Sequence, residues 1–321
     1  MSSEVAAITK KDKRGFLHEV RNNLPLFIML IPGLIVLFIN NYIPMFGVVI
    51  AFKKYRLFNN FFDSIIKSDW VGFQNFEFFF KTPYAFNVTR NTILYNLVFI
   101  ALDLIIPVAL AIALNELRQK KLGKTYQSLM FLPYFLSWIV VSYLAYSFFS
   151  MDKGFINRQF LEGLGLDSVN WYNEKLAWPF ILTFFHMWKY TGYNVVVYIA
   201  SLAGIDSEYY EAASLDGASR WQQIKHITVP MLQPIMIIMT LLAVGRIFNA
   251  DFGLFYNVTK NSGAIAPVTE VLDTYVYKAL RSSNNMGMTA AAGLYQAVIG
   301  CITVFAANYV VRKIDDDKAL F

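Results

Sequence analysis

Four ionisable side chains lie inside long apolar runs of this sequence. They are the groups within those runs that could bind a charged or polar solute. They are Asp103, His186, Lys189 and Arg246. An ionisable group is costly within a bilayer, and one that persists there usually faces a cavity or a partner. Two interpretations carry equal weight. Either these groups line a path for a polar solute, or they pair with one another or with a second subunit.

The apolar run around His186 also carries aromatic and amide side chains at helical spacing. His186, Tyr190, Tyr193 and Asn194 recur at i, i+4, i+7 and i+8, which places them on one face of a helix. Aromatic rings stack on the apolar faces of sugars, and amides hydrogen-bond to sugar hydroxyls. The face therefore suits a saccharide, although an aromatic stripe by itself more often packs in a core or faces lipid.

The sequence motifs of metal and nucleotide chemistry are absent. The chain contains neither a GxxxxGK[ST] phosphate loop nor an HExxH zinc motif. Its three histidines, His18, His186 and His226, are far apart, and its single cysteine, Cys301, lies in an apolar run. The acidic run 315–317 is interpreted as a solvated tail, because contiguous carboxylates rarely converge on a metal. We expect no enzyme, no metal site and no cofactor in this chain.

A polar stretch, residues 209–230, separates two of the long apolar runs. It is predicted to form a short helix from Glu208 to Leu215, a break at Asp216–Gly217 and a second short helix from Arg220 to Ile227. Its alanines and Gly217 would let another surface approach the backbone closely. A loop that only joined two spans would not need two short helices with a glycine break between them. The stretch is therefore predicted to contact a partner protein.

The second predicted helix has clear signals at both ends. Ser219 and Gln222 stand at the spacing of a capping box, and Pro230 suits the first turn of the next span, where its missing N–H costs nothing. Three apolar residues recur on one face of this helix: Trp221, Ile224 and Ile227. This face is predicted either to meet the partner or to cover the ends of the spans.

The elements that must position these residues are membrane spans. The chain has 321 residues, of which 56% are apolar and only 16% charged, whereas soluble domains carry about a quarter charged residues. We predict an all-α membrane protein with a domain over 25–311, a polar loop over 207–230, and tails over 1–24 and 312–321. Its six spans are predicted at roughly 25–42 (or further, to 52), 91–114, 126–149, 177–203, 230–249 and 288–311.

The distribution of charge predicts the orientation. Six spans place both termini on one side, and the density of Lys and Arg is higher on that side, which favours cytoplasmic termini. The first apolar run lacks a small-residue cleavage site, so it is expected to remain as a helix. The net charge of +6 lies in short loops beside spans and does not indicate nucleic-acid binding. The partner expected from composition is membrane lipid.

The polar stretch resembles a known signature. Glu211-Ala212-Ala213, then Asp216-Gly217-Ala218, then Ile227 and Pro230, resembles the EAA motif of permease subunits in bacterial binding-protein-dependent ABC importers. The segment 70–76 (WVGFQNF), Asn91-Thr92 and Leu132-Pro133 are similar to parts of the sugar permeases of that family. The resemblance therefore extends over nearly the whole chain. Within the family, the chain looks most like permeases for oligosaccharides and polysaccharides, of the LplB or alginate-importer type.

This resemblance implies a type I ABC importer permease fold, with a cytoplasmic coupling helix pair between spans 4 and 5. It implies docking of that pair on an ATPase subunit, with ATP and Mg on the ATPase and not on this chain. The implied coupling residues are Glu211, Ala212, Ala213, Asp216, Gly217, Ala218, Trp221, Ile227 and Pro230. The implied partners are a second homologous permease in a heterodimer, two ATPase subunits and an external sugar-binding protein, all at the bacterial cytoplasmic (inner) membrane.

The resemblance also implies a substrate pathway, by alignment with the maltose permease. The expected positions are His186, Trp188, Lys189, Tyr190, Tyr193 and Asn194 in span 4, with Arg246, Asn249 and Asp251 in or after span 5. Several of these can carry positive charge, unlike their neutral counterparts in the maltose permease, which would suit an acidic sugar such as a uronate. The alternatives are a non-sugar solute on the same machine, or an ion-driven carrier.

Overall fold

The computed structural model describes residues 23–77, 81, 83–117, 119–283 and 285–314, and these residues are almost entirely helical. Most of the predicted tail 1–24 and the acidic run 315–317 lie outside them. The main helices are α1 (Leu24–Phe52), α2 (Phe61–Lys67), α3 (Pro83–Asn115), α4 (Lys120–Phe131), α5 (Trp138–Phe149), α6 (Trp178–Leu202), α7 (Ser207–Leu215), α8 (Arg220–Val244), α9 (Leu272–Ser283) and α10 (Met286–Ile314). Shorter helical segments cover Gly72–Phe76, Leu132–Phe135, Ile156–Leu161, Glu162–Leu164, Trp171–Asn173, Leu254–Val258 and Ala266–Thr269.

Length and composition support five helical passes, and the length of α6 fits the sixth that the sequence predicts. Helices α1, α3, α8 and α10 are each long and apolar enough to cross a membrane, and α4 with α5 forms a bent fifth pass. Helix α6 has 25 residues, about 37 Å at the usual rise, which exceeds the roughly 30 Å of a hydrocarbon core. It is less apolar than the others because it carries buried polar residues, among them His186, Lys189 and Asn194.

The third pass, predicted over 126–149, is present but broken. The segments Lys120–Phe135 and Trp138–Phe149 meet at 98°. Pro133 has no N–H to donate and destabilises a helix interior, and the Ser137 hydroxyl caps the new helix by accepting the Val140 N–H at 3.4 Å. The sequence places Pro133 inside the third predicted span but did not reveal a turn this sharp.

Helix α6 packs along α3 and also against α4. Gly192 makes the second contact possible, because a Cβ there would lie only 1.9 Å from the Met130 carbonyl oxygen. Two clusters of buried side chains fill the bundle. One, which includes Val108, Val195 and Leu232, joins α3, α6 and α8. The other, which includes Phe185 and Phe255, lies towards the opposite end.

Helix α8 begins earlier than predicted. Residues 220–244 form one helical run, so the separate second helix predicted to end at Ile227 and the fresh start at Pro230 are wrong. A π-helical turn covers Ile224–Thr228, directly before Pro230. Such a turn is a common way to accommodate a proline, which cannot donate to the preceding turn. The second half of the polar stretch, from Arg220 onward, therefore belongs to the same helix as the fifth span.

A small hairpin follows α1. Strand β1 (Lys53–Lys54) pairs antiparallel with β2 (Asp69–Trp70), in the register Lys53 to Trp70. The Asn75 amide donates to the carbonyls of Ala51 at 2.9 Å and Lys53 at 3.0 Å, which fixes the hairpin on the end of α1. With six passes, this hairpin, the loop 150–176 and the segment 250–283 lie at one end of the bundle, the hairpin end, and α7 lies at the other.

Candidate functional site

Helix α7 is a separate short element because both of its ends are capped. At its start the Asp206 carboxylate accepts the Glu208 N–H at 3.0 Å. At its end Gly217 has a φ of +80°, a conformation that costs other residues roughly 1–2 kcal/mol. The Ala218 N–H then bonds to the Ala213 carbonyl at 2.9 Å, closing the last turn. The chain thus bends at Gly217, and the geometry there favours glycine.

The start of α8 is fixed by the capping box that its sequence predicts. The Ser219 hydroxyl accepts the Gln222 N–H at 3.4 Å, and the Gln222 side-chain oxygen accepts the Ser219 N–H at 2.7 Å. These bonds satisfy donors that a helix start leaves without partners. The Arg220 guanidinium lies 4.0 Å from the Glu116 carboxylate at the end of α3, so the element also meets the bundle through an exposed ion pair.

Two side-chain hydrogen bonds fasten α7 to α8. The Tyr210 and Thr228 hydroxyls are 3.0 Å apart, and the Gln223 amide donates to the Ser214 hydroxyl at 2.8 Å. Gln223 and Thr228 are both buried, so these contacts are shielded from water. The pair of helices, residues 207–228, therefore forms one stiff bracket at the end of the fifth span; we call it the α7–α8 bracket.

The face of the α7–α8 bracket that points away from the bundle is apolar in part. Leu215 is 90% exposed and Trp221 is 73% exposed, while Ile224 and Ile227 are half-buried. Trp221 therefore does not cover the ends of the spans. Glu211 and Asp216 are exposed on the same element. Three of the other predicted coupling residues are half-buried (Ala213, Ala218 and Ile227), and three are exposed (Ala212, Gly217 and Pro230). The exposed Leu215 was not among the predicted coupling residues.

Inside the bundle, one polar cluster joins α3 to α6. His186 Nε2 lies 2.9 Å from an oxygen of Asp103, and the Asn194 amide donates to the other oxygen at 3.2 Å. The His186 ring stacks on Phe99, with ring centres 3.8 Å apart and planes 4° apart. His186 Nδ1 is buried and has no hydrogen-bond partner within the described part of the chain. The pairing interpretation therefore fits His186 and Asp103.

Lys189 fills the break between α4 and α5. Its ammonium donates to the Tyr134 carbonyl at 2.9 Å and also to the Leu136 carbonyl. The ring centre of Trp138 lies 5.2 Å from the ammonium, and the ring of Tyr190 lies nearby. Only 6% of Lys189 is exposed. The lysine thus provides donors for carbonyls that the broken helix leaves without intrahelical partners.

Asp251 lies directly beside this lysine cluster. One carboxylate oxygen accepts the Tyr190 hydroxyl at 2.6 Å and the Trp138 indole N–H at 2.8 Å. The other accepts the Gly253 N–H at 2.9 Å and the Leu254 N–H at 3.3 Å. Both oxygens are therefore bonded, and Asp251 ties the segment after α8 to α5 and α6.

The remaining predicted pathway residues are more accessible. Tyr193 is exposed and stacks on Tyr134 at 4.8 Å between ring centres, and Trp188 is half-buried beside Phe185. Arg246 and Asn249 are both exposed near the end of α8. The structure thus brings His186 and Asn194 into one cluster and Lys189, Tyr190 and Asp251 into another. The His186 and Tyr190 rings, 5.1 Å apart, connect the two, whereas Arg246 and Asn249 are exposed and belong to neither cluster.

The turn after α8 is held by a second half-buried carboxylate, Asp273 on α9. Asp273 accepts the Ala250 N–H at 2.7 Å and the Gln296 amide at 3.3 Å. Burial raises the pKa of Asp273, and these hydrogen bonds oppose that rise. Asp273 therefore fixes the segment that carries Asp251 against α10.

Sequence reasoning missed Phe99, Tyr134 and Trp138, which complete the two clusters. The break at Pro133 was the available signal for Tyr134 and Trp138, because side chains beside a helix break often meet its unpaired backbone groups. Over the residues that the structure describes, no group of three His, Cys, Asp or Glu side chains could hold a metal ion.

Comparison with known proteins gives consistent matches. Residues 104–316 match the family described as "Binding-protein-dependent transport system inner membrane component". The chain is 35% identical to Protein LplB of Bacillus subtilis (strain 168) over 301 residues, covering 91% of this chain and 90% of that one. It is 32% identical over 318 residues to the polygalacturonan/rhamnogalacturonan transport system permease protein YteP of the same organism, covering 97% and 95%.

Solved structures match over a similar extent. A chain in the crystal structure of a bacterial ABC transporter involved in the import of the acidic polysaccharide alginate superposes with a TM-score of 0.82 at 27% identity, covering 93% of this chain and 99% of that one. A second structure of the bacterial alginate transporter, in complex with an alginate pentasaccharide-bound periplasmic protein, gives the same TM-score, covering 93% and 98%.

Proposed function

The chain belongs to the family of inner membrane components of binding-protein-dependent transport systems, and from this premise we propose that it carries an acidic oligosaccharide or polysaccharide across the membrane. As a family member it is a multi-pass permease subunit of an ABC importer and has no catalytic role. ATP hydrolysis belongs to a separate subunit, and an external binding protein delivers the substrate.

The observation that carries the choice of substrate is the near full-length likeness to a chain of an importer of the acidic polysaccharide alginate. A second relative, over 97% of this chain, is named for polygalacturonan and rhamnogalacturonan, and both of those polymers contain uronic acids. In this chain, Tyr134, Trp138 and Tyr190 bring aromatic rings together, and such rings suit sugar faces. The exposed cation Arg246 suits a carboxylate.

The α7–α8 bracket is the surface through which we expect an ATPase subunit to act. Its hydrogen bonds across Tyr210–Thr228 and Ser214–Gln223 let it move as a unit with the fifth span. Its exposed Leu215 and Trp221 offer an apolar contact. The rest of the assembly is a second homologous permease and two ATPases, at the bacterial inner membrane, with both termini of this chain in the cytoplasm.

Reconstitution tests this function directly. The chain would be purified with its second permease and ATPases, placed in proteoliposomes, and supplied with the binding protein. We expect ATP-dependent uptake of tetragalacturonate, with maltotetraose as the neutral control. Faster uptake of maltotetraose would reject the acidic substrate, and uptake without ATP would reject the coupling to an ATPase.

A further inference from the structure

Three aromatic rings form a cluster at the hairpin end of the bundle, directly after Asp251. Phe252 and Tyr256 stack with ring centres 4.9 Å apart and planes 15° apart. Tyr277 on α9 packs edge-on against both, at 4.8 Å from Phe252 and 5.2 Å from Tyr256. All three side chains remain half-exposed. We call these three residues the rim cluster.

The rim cluster rests on a fixed base. Leu254 and Val258, which face the other way along the same helical turns, are fully buried. The Asp251 carboxylate caps the start of this segment through the Gly253 N–H at 2.9 Å. Gly253 itself packs against Trp138 so closely that a Cβ would lie 2.0 Å from the indole. The rings are therefore held in place before any ligand arrives, which reduces the entropy lost on binding.

One cation lies beside the hydroxyl end of the rim cluster. The Arg281 guanidinium, one turn beyond Tyr277 on α9, donates to the Tyr277 hydroxyl at 3.3 Å and also interacts with the Tyr256 hydroxyl. Arg281 is exposed. A guanidinium has five N–H donors, so most of them remain available to solvent. The guanidinium and the two tyrosine hydroxyls thus lie together at the edge of the rim cluster.

Lys278, on the same helix as Arg281, and Lys189 are already engaged in other contacts. The Lys278 ammonium lies 3.0 Å from the Glu270 carboxylate, and Lys189 donates to backbone carbonyls. Over the described residues, no carboxylate lies within ion-pair distance of Arg281. An exposed arginine that is oriented by tyrosine hydroxyls can present the planar fork that binds a carboxylate through two parallel hydrogen bonds.

We propose that Arg281 and the rim cluster form a receiving site for one uronate unit of an acidic saccharide, separate from the clusters between α3 and α6. The guanidinium binds the carboxylate, the tyrosine hydroxyls bond to sugar hydroxyls, and the rings stack on the apolar face of the sugar. The site rests on the proposed function. It also continues the candidate pathway, because Phe252 follows Asp251, which accepts the Tyr190 hydroxyl.

Chemical protection of Arg281 tests the site without relying on transport. The intact transporter in nanodiscs is treated with phenylglyoxal, which modifies exposed arginines, and the modified positions are mapped by mass spectrometry. Tetragalacturonate is expected to protect Arg281, whereas its methyl ester, which has the same sugars without the charge, is not. Arg56, an exposed arginine 3.5 Å from Asp69 on the hairpin, is the matched control and is expected to stay reactive.

Two variants sharpen the result. Tyr277→Phe keeps the ring and removes one hydroxyl, so the concentration of tetragalacturonate for half-protection is expected to rise about threefold, the scale of one hydrogen bond. Tyr309→Phe alters an exposed tyrosine on α10 and is expected to leave that concentration unchanged. Equal protection by the methyl ester, equal protection of Arg56, or no protection would each overturn the proposal.

The same preparation separates this site from the proposed function. ATP-driven uptake of tetragalacturonate without protection of Arg281 would keep the function and reject the site. Protection of Arg281 in a transporter that imports only neutral sugars would keep the site as a binding surface and reject the acidic substrate. With both confirmed, Arg281→Gln is expected to slow uptake of tetragalacturonate about tenfold, the scale of one charge-assisted hydrogen bond.

Discussion

The Lys189 ammonium donates a hydrogen bond to the Tyr134 carbonyl at 2.9 Å, inside the break of the third pass. Lys189→Met keeps the apolar stem and removes the donors, leaving two partly buried carbonyls unpaired. Each such group costs roughly 1–3 kcal/mol, so the melting temperature of the purified transporter is expected to fall. Lys153→Met, at an exposed position in a loop, is the control. Unchanged melting with lost transport would instead place Lys189 in the substrate path.

Gly217→Pro is expected to leave the bundle assembled and to abolish uptake. Proline fixes φ near −65°, whereas Gly217 has a φ of +80°, so the bend between α7 and α8 cannot form. Gly163→Ala, where a Cβ would meet open space, is the control. Assembly is checked by co-purification, and coupling by the ratio of uptake to ATP hydrolysis. Normal uptake by the proline variant would remove the case for a coupling role.

Trp221→Ala is expected to weaken association with the ATPase subunit and to spare the fold of the bundle. The side chain is 73% exposed, so its loss leaves no cavity inside this chain. A tryptophan buried in an interface often contributes 2 kcal/mol or more to binding, which corresponds to a fall in affinity of about thirtyfold. The measurement is retention of the ATPase on the immobilised permease as salt and detergent are varied. Tyr309→Phe, far from the bracket in sequence, serves as the reference.

Gly192→Ala is expected to disrupt the packing of α4 on α6. The added Cβ would lie 1.9 Å from the Met130 carbonyl oxygen, and backbone must move to relieve such a contact. Destabilisation by several kcal/mol is expected, as for other overpacked sites. Gly293→Ala, on α10 with open space around the Cβ, should be neutral or slightly stabilising, since alanine favours a helix. Similar yields and melting temperatures for both variants would contradict the packing.

Asp273→Asn is expected to stabilise the transporter near neutral pH. Burial raises the pKa of Asp273, so ionisation costs more in the folded state than in the unfolded state. The stability of the wild type therefore falls as pH rises from the ordinary carboxyl pKa of about 3.9 through the raised value. The amide keeps an acceptor for the Ala250 N–H without this penalty. The difference in melting temperature between Asp273→Asn and the wild type should vanish below about pH 4, where the carboxyl group is protonated in both the folded and the unfolded state.

The same position offers a control for the loss of the hydrogen bond. Asp273→Leu removes the acceptor of the Ala250 N–H and should lower the melting temperature at every pH. A stabilising effect of Asp273→Asn that did not depend on pH would show that ionisation of Asp273 is not its cause.

Features governed by neighbours in sequence were predictable. The capping box at Ser219 and Gln222 and the bend at Gly217 depend on residues within one turn, and both are present. The six passes follow from runs of apolar residues. The continuation of α8 through Pro230 was not predictable in this way, because a π-helical turn absorbs the proline and leaves no local signature.

Contacts between residues far apart in sequence could not be predicted either. Lys189 meets Tyr134, and Tyr190 meets Asp251, across 55 and 61 residues. The pattern in span 4 correctly placed His186 and Asn194 on one face, since both meet Asp103. The same pattern could not show whether Lys189 bonds to backbone carbonyls or faces a solute. A lysine in either role occupies the same position in the helical pattern.

Helix α1 has a further consequence for how this sequence can change. Its most apolar window buries no residue against the described part of this chain, so no described neighbour dictates the shapes of the side chains over 24–45. Lipid would require only that they stay apolar, whereas a neighbouring subunit would also require fitting shapes. Free exchange among Leu, Ile, Val and Phe across natural variants of this helix would mark a lipid boundary, and fixed small residues would mark a protein contact.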